Sequence, residues 1–180
     1  MSYELDGYFL EICKSVSSNS KCLSRKLGAV IVKDRYIVST GYNGPATGCP
    51  HCNDADYRAR LLEDVQKENG IALPEFKKEL SICPRKIIGY DSGGGLQYCQ
   101  ASHAERNAIY AAARLGHPLE GCTLFLNWVI PCVECSKAII NSGIKEVVVT
   151  ELKDYESVGI LGRYLLVRAG INLRVNEQKL

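Results

Sequence analysis

His103, Cys132 and Cys135 are the side chains of this 180-residue sequence best spaced to hold one metal ion, and Glu105 is the carboxylate beside them. Zinc takes nitrogen and sulfur ligands in a tetrahedron, and a catalytic zinc keeps one corner for water. One histidine and two cysteines leave that corner open. Cys132 and Cys135 stand three apart in Pro131-Cys-Val-Glu-Cys135. That spacing at the start of a helix lets both grip one ion, and a helix N-terminus favours thiolates. Glu105, two residues from His103, can share the pocket without ligating. Zinc brings the pKa of a bound water to about 7. Glu105 could take that proton and later hand it to a leaving group, which is general acid/base catalysis by one shuttling carboxylate. The competing reading is a structural zinc beside an ordinary surface glutamate. Structural sites usually have four protein ligands, and only three are evident here.

The elements that must position these residues follow from periodicity. Apolar residues Leu5, Phe9, Ile12, Cys13 and Val16 recur at helical spacing over Tyr3–Ser17. Gly28–Lys33 and Tyr36–Tyr42 read as a hairpin turning at Asp34-Arg35, stopped by Asn43-Gly44-Pro45. Residues 46–101 are the least regular, with one helix expected from about Ala55 to Glu68, a stop at Gly70 and a Gly93-Gly94-Gly95 loop. Beyond residue 100, helices over Ala104–Leu115, Val133–Asn141 and Tyr155–Ala169 alternate with strands over Thr123–Val129, Lys145–Thr150 and Ile171–Val175. That alternation predicts an α/β layered sheet. His103 opens one helix and Cys132 another, so the metal is expected between two helix N-termini.

The length suits a single domain, residues 1–180, with an irregular insertion at about 46–101. Net charge is +2, from 22 basic and 20 acidic side chains, which argues against a dedicated nucleic-acid surface. The sequence shows no export signal and no apolar run of ~18 residues, so neither secretion nor a membrane span is expected. Nine cysteines, an odd number, fit metal ligation in a reducing cytoplasm better than a disulfide framework.

The pattern H-x-E…P-C-x-x-C is similar to the signature of zinc deaminases acting on nucleobases. More widely, the chain resembles the deoxycytidylate (dCMP) deaminases of the zinc-dependent cytidine deaminase superfamily. The resemblance covers nearly all of it. Its motifs are Lys21-Cys-Leu-Ser-Arg-Lys-Leu-Gly-Ala-Val-Ile-Val32, Ser39-Thr-Gly-Tyr-Asn-Gly-Pro45 on to His51-Cys52, His103-Ala-Glu-Arg-Asn-Ala-Ile109 and Ser142-Gly-Ile-Lys-Glu-Val-Val148. It implies a three-layer α-β-α fold on a five-stranded mixed sheet, and a homo-oligomer, commonly a hexamer. It also implies a Zn2+-dependent hydrolysis of dCMP to dUMP and ammonia, which supplies dUMP for thymidylate synthesis. On this resemblance Glu105 is catalytic, His103, Cys132 and Cys135 bind the metal, and Asn43 and Ala104 contact substrate, Asn43 at the deoxyribose. Asn43 also reads as a plain turn residue. Ser24, Arg25 and Lys26 are the candidates for the substrate phosphate, against the alternative of a solvated basic loop.

Cys22, Cys52, Cys83 and Cys99 fall at positions similar to those of dCMP deaminases that carry a second, structural zinc. Four cysteines would make a closed site, and would order a region otherwise poor in internal structure. Cys49 or His51 could replace one member, and four buried free cysteines are the alternative. Cys13 and Cys122 read as core residues and His117 as an exposed loop residue. Arg114 matches a family position near regulatory interfaces, and equally suits the end of a helix. Leu126-Asn-Trp-Val-Ile130 departs from the family's usual segment before the proline, so Trp128 could pack on the base or fill the core. That leaves another pyrimidine nucleotide or nucleoside open as substrate. Two rivals stand against dCMP deamination. One is a nucleic-acid deaminase of the tRNA adenosine type, which should show a clustered basic surface. The other is a non-catalytic zinc module, against which the intact Glu105 argues.

Overall fold

Residues of the strands Gly28–Lys33 (β1), Thr123–Leu126 (β3) and Glu146–Val149 (β4) are buried on both faces, apart from the last of β1. Helices must therefore cover both sides of the sheet. In the computed structural model, which describes residues 5–70, 81–91, 93–154 and 159–176, they do. Ala29, Ile31, Leu124, Leu126, Val147 and Val149 point to one face. There they meet Ala104, Ala108 and Ala112 of α4 (Ala104–Leu115), Ile139 of α5 (Val133–Asn141) and Leu166 of α6 (Gly159–Arg168). The alternate residues Val30, Val32, Phe125 and Val148 meet Phe9, Leu10 and Cys13 of α1 (Asp6–Ser17) on the other face. The period-2 pattern of the strands thus builds an α-β-α sandwich.

The sheet order is β2-β1-β3-β4-β5, with β2 at Tyr36–Tyr42 and β5 at Asn172–Val175. β1 runs antiparallel to β2 and β3, whereas β3, β4 and β5 are parallel, so the sheet is mixed as expected. Strand β3 stops at Leu126, not Val129. Asn127 turns the chain there: its Oδ1 accepts from Gly28 N–H at 2.8 Å, and its own N–H donates to Gly28 O at 3.3 Å. The helix expected from Tyr155 is described from Gly159, and residues 155–158 lie outside the described residues. Tyr3, the expected start of the first helix, also lies outside them.

The chain groups into two compact units. The sandwich is residues 1–20, 27–43 and 103–180. The second unit is residues 21–26 and 44–102, and includes the whole of the irregular insertion. It contains α2 (Ala55–Asn69), capped by the Asp54 side chain accepting from Tyr57 N–H and closed by left-handed Gly70. It also holds the short α3 (Pro84–Ile87) and a single 3-10 turn at Leu96–Tyr98. Leu62, Val65, Ile87 and Ile88 form its own core. Buried Arg58 donates to the carbonyls of Cys52 and Ile82 at 3.1 and 2.7 Å. Among the described residues, no helix is long and apolar enough to cross a membrane.

Candidate active site

His103 and Cys132 are the N-cap residues of α4 and α5, both in extended backbone conformation. Neither side chain caps its own helix; they turn toward each other. His103 Nδ1 lies 3.4 Å from Cys132 Sγ and 3.4 Å from Cys135 Sγ. A tetrahedral zinc with bonds of about 2.0–2.1 Å to nitrogen and about 2.3 Å to sulfur separates those atoms by about 3.5 Å. The three ligand atoms all fall within 4.8 Å of one another, the one such group of three among the described residues. Donor types and spacing fit zinc.

The thiols are unequal. Cys132 is brought down to about 4, first by a hydrogen bond from the Cys135 thiol and then by His103 against the cost of burial. Cys135 is pushed up by its bond to Cys132 and by burial. His103 is raised chiefly by its hydrogen bond with Cys132. The Cys132 thiol and the His103 ring act on each other because they lie close, the same closeness that would let them share a metal ion.

Glu105, on the first turn of α4, is 4% exposed, and its Oε2 is buried with no hydrogen-bond partner. Burial pushes its carboxyl above the ordinary range, against the opposing pull of His103. An unsatisfied carboxylate oxygen costs about 1–3 kcal/mol or more, which water or substrate would relieve. A raised pKa suits a group that must both accept and donate a proton.

Backbone contact sets the position of α4. A β-carbon on Gly41 of β2 would stand 2.3 Å from Ala108 N and 2.4 Å from Ala104 O. Ser39 Oγ donates to Ala108 O at 2.9 Å, and Asn107 Nδ2 to Tyr42 O at 2.8 Å. Next along the chain, Asn43 is 6% exposed; its Oδ1 accepts from Leu27 N–H at 2.8 Å, and its carbonyl accepts from Ser20 Oγ at 2.7 Å. Asn43 thus ties the end of β2 to Leu27 and Ser20, with none of the left-handed backbone that an unusual turn would need. Ala104 is wholly buried as the first residue of α4. Half-buried Trp128 packs against the sandwich core. Arg114 and His117 are exposed, while Cys13 and Cys122 are fully buried.

Ser24, Arg25 and Lys26 lie in the second unit, the first two half-buried and Lys26 exposed. Cys22, Cys52, Cys83 and Cys99 also fall there. Their charges act on one another: Cys52 and Cys99 are raised first by burial, then by the other thiols. They are neighbours, yet not drawn within the 4.8 Å spacing of the His103 group. Cys49 is exposed and His51 half-buried.

Arg106 was not foreseen. It is half-buried, with its Nε enclosed and lacking a hydrogen-bond partner, and its charge acts on His103 and Cys135. A cation on a first helical turn opposes the macrodipole, which is the signal in the sequence that marks it.

Residues 3–151 match the family described as the cytidine and deoxycytidylate deaminase zinc-binding region. The chain is similar to the deoxycytidylate deaminase of Enterobacteria phage T4, 36% identical over 156 residues, covering 83% of this chain and 79% of that protein. It is 30% identical over 179 residues to the deoxycytidylate deaminase of Saccharomyces cerevisiae, covering 94% of this chain and 44% of that longer one. Among solved structures it is similar to the dCMP deaminase of cyanophage S-TIM5 in complex with dCMP and dUMP. That likeness has a TM-score of 0.65 and 25% identity, covering 97% and 98% of the two chains. With the His103–Cys132–Cys135 cluster beside Glu105, these findings make the chain a member of the zinc-binding cytidine and deoxycytidylate deaminase family.

Proposed function

We propose that this protein deaminates dCMP hydrolytically, giving dUMP and ammonia and so supplying dUMP for thymidylate synthesis. The observation that carries the reading is Glu105: a buried carboxylate with an unpartnered oxygen, one residue beyond the first residue of α4, beside a zinc-fitting triad. The phage T4 relative is named for this activity, and the S-TIM5 structure holds both dCMP and dUMP. A zinc held by His103, Cys132 and Cys135 would supply Lewis acidity, making water a nucleophile near neutral pH. Glu105 takes the proton from the attacking water and passes it to the ring nitrogen. As the oxygen bonds to the amino-bearing carbon and the ring nitrogen is protonated, Glu105 is left ionised. It then takes the second proton from the new hydroxyl and gives it to the amino group, so the C–N bond breaks, the carbonyl forms and ammonia leaves. Asn43, whose Oδ1 accepts from Leu27 N–H, would contact the deoxyribose. Ala104 offers a helix N-terminal N–H, and Ser24, Arg25 and Lys26 would receive the phosphate. Purified protein given dCMP, dCTP, deoxycytidine, cytidine or guanine should release ammonia fastest from dCMP. Inert dCMP beside a reacting alternative would end this assignment.

The reading extends to a single deaminase-like domain over residues 1–180, working in the cytoplasm. Cys22, Cys52, Cys83 and Cys99 would hold a second, structural zinc, with Cys49 or His51 able to stand in for one. Their mutual electrostatic influence supports it. Freshly purified protein should then carry two zinc ions per chain, and Cys99→Ser one; a single zinc in both would remove the second site. Helix α6 supports a homo-oligomer, a hexamer by family resemblance: Ile160, Leu161, Tyr164 and Val167 are all more than half exposed on it. Helices apolar on this much of their surface are usually covered. Light scattering that gives a monomer mass would contradict it.

A further inference from the structure

The peptide joining Pro131 to Cys132 is held by two residues outside the zinc motif. Ser136 of α5, wholly buried, donates from Oγ to the Pro131 carbonyl at 3.3 Å and from its N–H to the Cys132 carbonyl at 2.8 Å. Gly162 of α6, also buried, lies against the same peptide. A β-carbon there would stand 2.5 Å from Pro131 O, 3.1 Å from Ser136 Oγ and 3.2 Å from the Cys132 carbonyl carbon. Glycine inside a helix costs about 1 kcal/mol relative to alanine. Gly162 has no left-handed backbone to justify that cost. Space is the reason for it.

We propose that Gly162 and Ser136 are positioning residues for the metal-binding turn. Through Gly162, α6 sits directly on the Pro131–Cys132 peptide, the Ser136 hydroxyl holds its carbonyl, and together they aim the Cys132 side chain at His103. The proposal rests on the zinc-deaminase reading and explains why a helix so far along the chain bears on the site. Magnitudes favour a functional role. Restoring ordinary contact at about 3.5 Å around a new β-carbon needs about 1 Å of movement, whereas zinc–ligand distances tolerate about 0.2 Å. The Cys132 carbonyl carbon and its Sγ belong to one residue, so movement of the peptide is passed to the ligand.

The test compares the full chain with Gly162→Ala and Ser136→Ala. Zinc affinity is measured by competition with a chelator, and Co2+ substitution reports ligand geometry through the d–d and thiolate charge-transfer bands. Gly162→Ala should weaken zinc binding about 10–100-fold and shift the cobalt bands, with kcat on dCMP falling and KM little changed. Ser136→Ala removes one hydroxyl without adding bulk and should move the same readouts several-fold; it decides the matter if Gly162→Ala does not fold. Folded variants with lower thermal midpoints but wild-type affinity and spectra would overturn the proposal, leaving the two residues to general packing. The metal readouts need no substrate. A wild type that binds cobalt tetrahedrally but leaves dCMP untouched defeats the substrate reading and not this one; a wild type that binds neither metal defeats both.

Discussion

Glu105 is the residue on which the chemistry turns. Its Oε2 has no protein partner, and its environment raises its pKa. Glu105→Gln keeps size and burial but cannot accept a proton. It should lower kcat on dCMP by at least about 10²–10⁴-fold while leaving zinc content unchanged; a variant of near-normal rate would sink the shuttle. This group and the triad were legible in the sequence because their partners are local. His103 and Glu105 share one turn, Cys132 and Cys135 another, and only the meeting of two helix N-termini had to be supplied by the fold. Asn43 was half legible. Its place at the end of the hairpin follows from residue type, whereas its Oδ1 bond to Leu27 N–H, 16 residues away, and any contact with sugar depend on the fold and on a ligand. Arg106 escaped because a charged residue on a helix normally reads as solvent-facing, and only packing shows its Nε enclosed.

At the scale of elements, the site depends on how closely α4 lies on β2. Gly41 allows their backbones to touch, since its missing β-carbon would stand 2.3 Å from Ala108 N. Gly41→Ala should therefore push α4 outward. A cost of about 1–3 kcal/mol is expected for such overpacking, read as a lower urea midpoint with unchanged slope. Because His103 and Glu105 ride on the same helix, zinc affinity should fall with stability. Wild-type midpoint and affinity together would show that the contact is soft. The periodic elements were readable: β1, β2, α4 and α5 fall at their expected bounds. Strand β3 was overextended, because Trp128 and Val129 favour strands by propensity although Asn127 does not. The bonds from Asn127 to Gly28 end it instead, and nothing local announces a partner nearly a hundred residues away. The segment around α2 was legible only as a helix with its caps, since its core of Leu62, Val65, Ile87 and Ile88 has no simple period.

Over the whole molecule, one ionic cluster ties the first helix to the last two strands. Arg174 of β5 pairs with Asp6 of α1 and, at 3.0 Å, with Glu146 Oε1 of β4. Thr123 and Asn172 also donate to Glu146, at 3.0 and 2.7 Å. Asp6 is fully buried and Arg174 nearly so, which leaves little solvent to screen them. Burial alone would raise Glu146, but the hydrogen bond and charge of Arg174, with Thr123 and Asn172, hold it below the ordinary carboxylate range. An unfolded glutamate titrates near ~4.3. Because the folded value is lower, the ionised carboxylate adds stability that is complete above the unfolded value. That stability is lost as pH falls through the folded value, where the native protein must take up the proton as well. Glu146→Gln has no such proton to bind. Urea midpoints at fixed ionic strength should therefore show the wild type ahead of the variant at pH 7, with the gap closing as pH falls through the depressed carboxylate range. A gap that keeps its size down to pH 3 would mean that shape and hydrogen bonding, rather than charge, make this cluster matter, and that Arg174 finds its compensation in Asp6 alone.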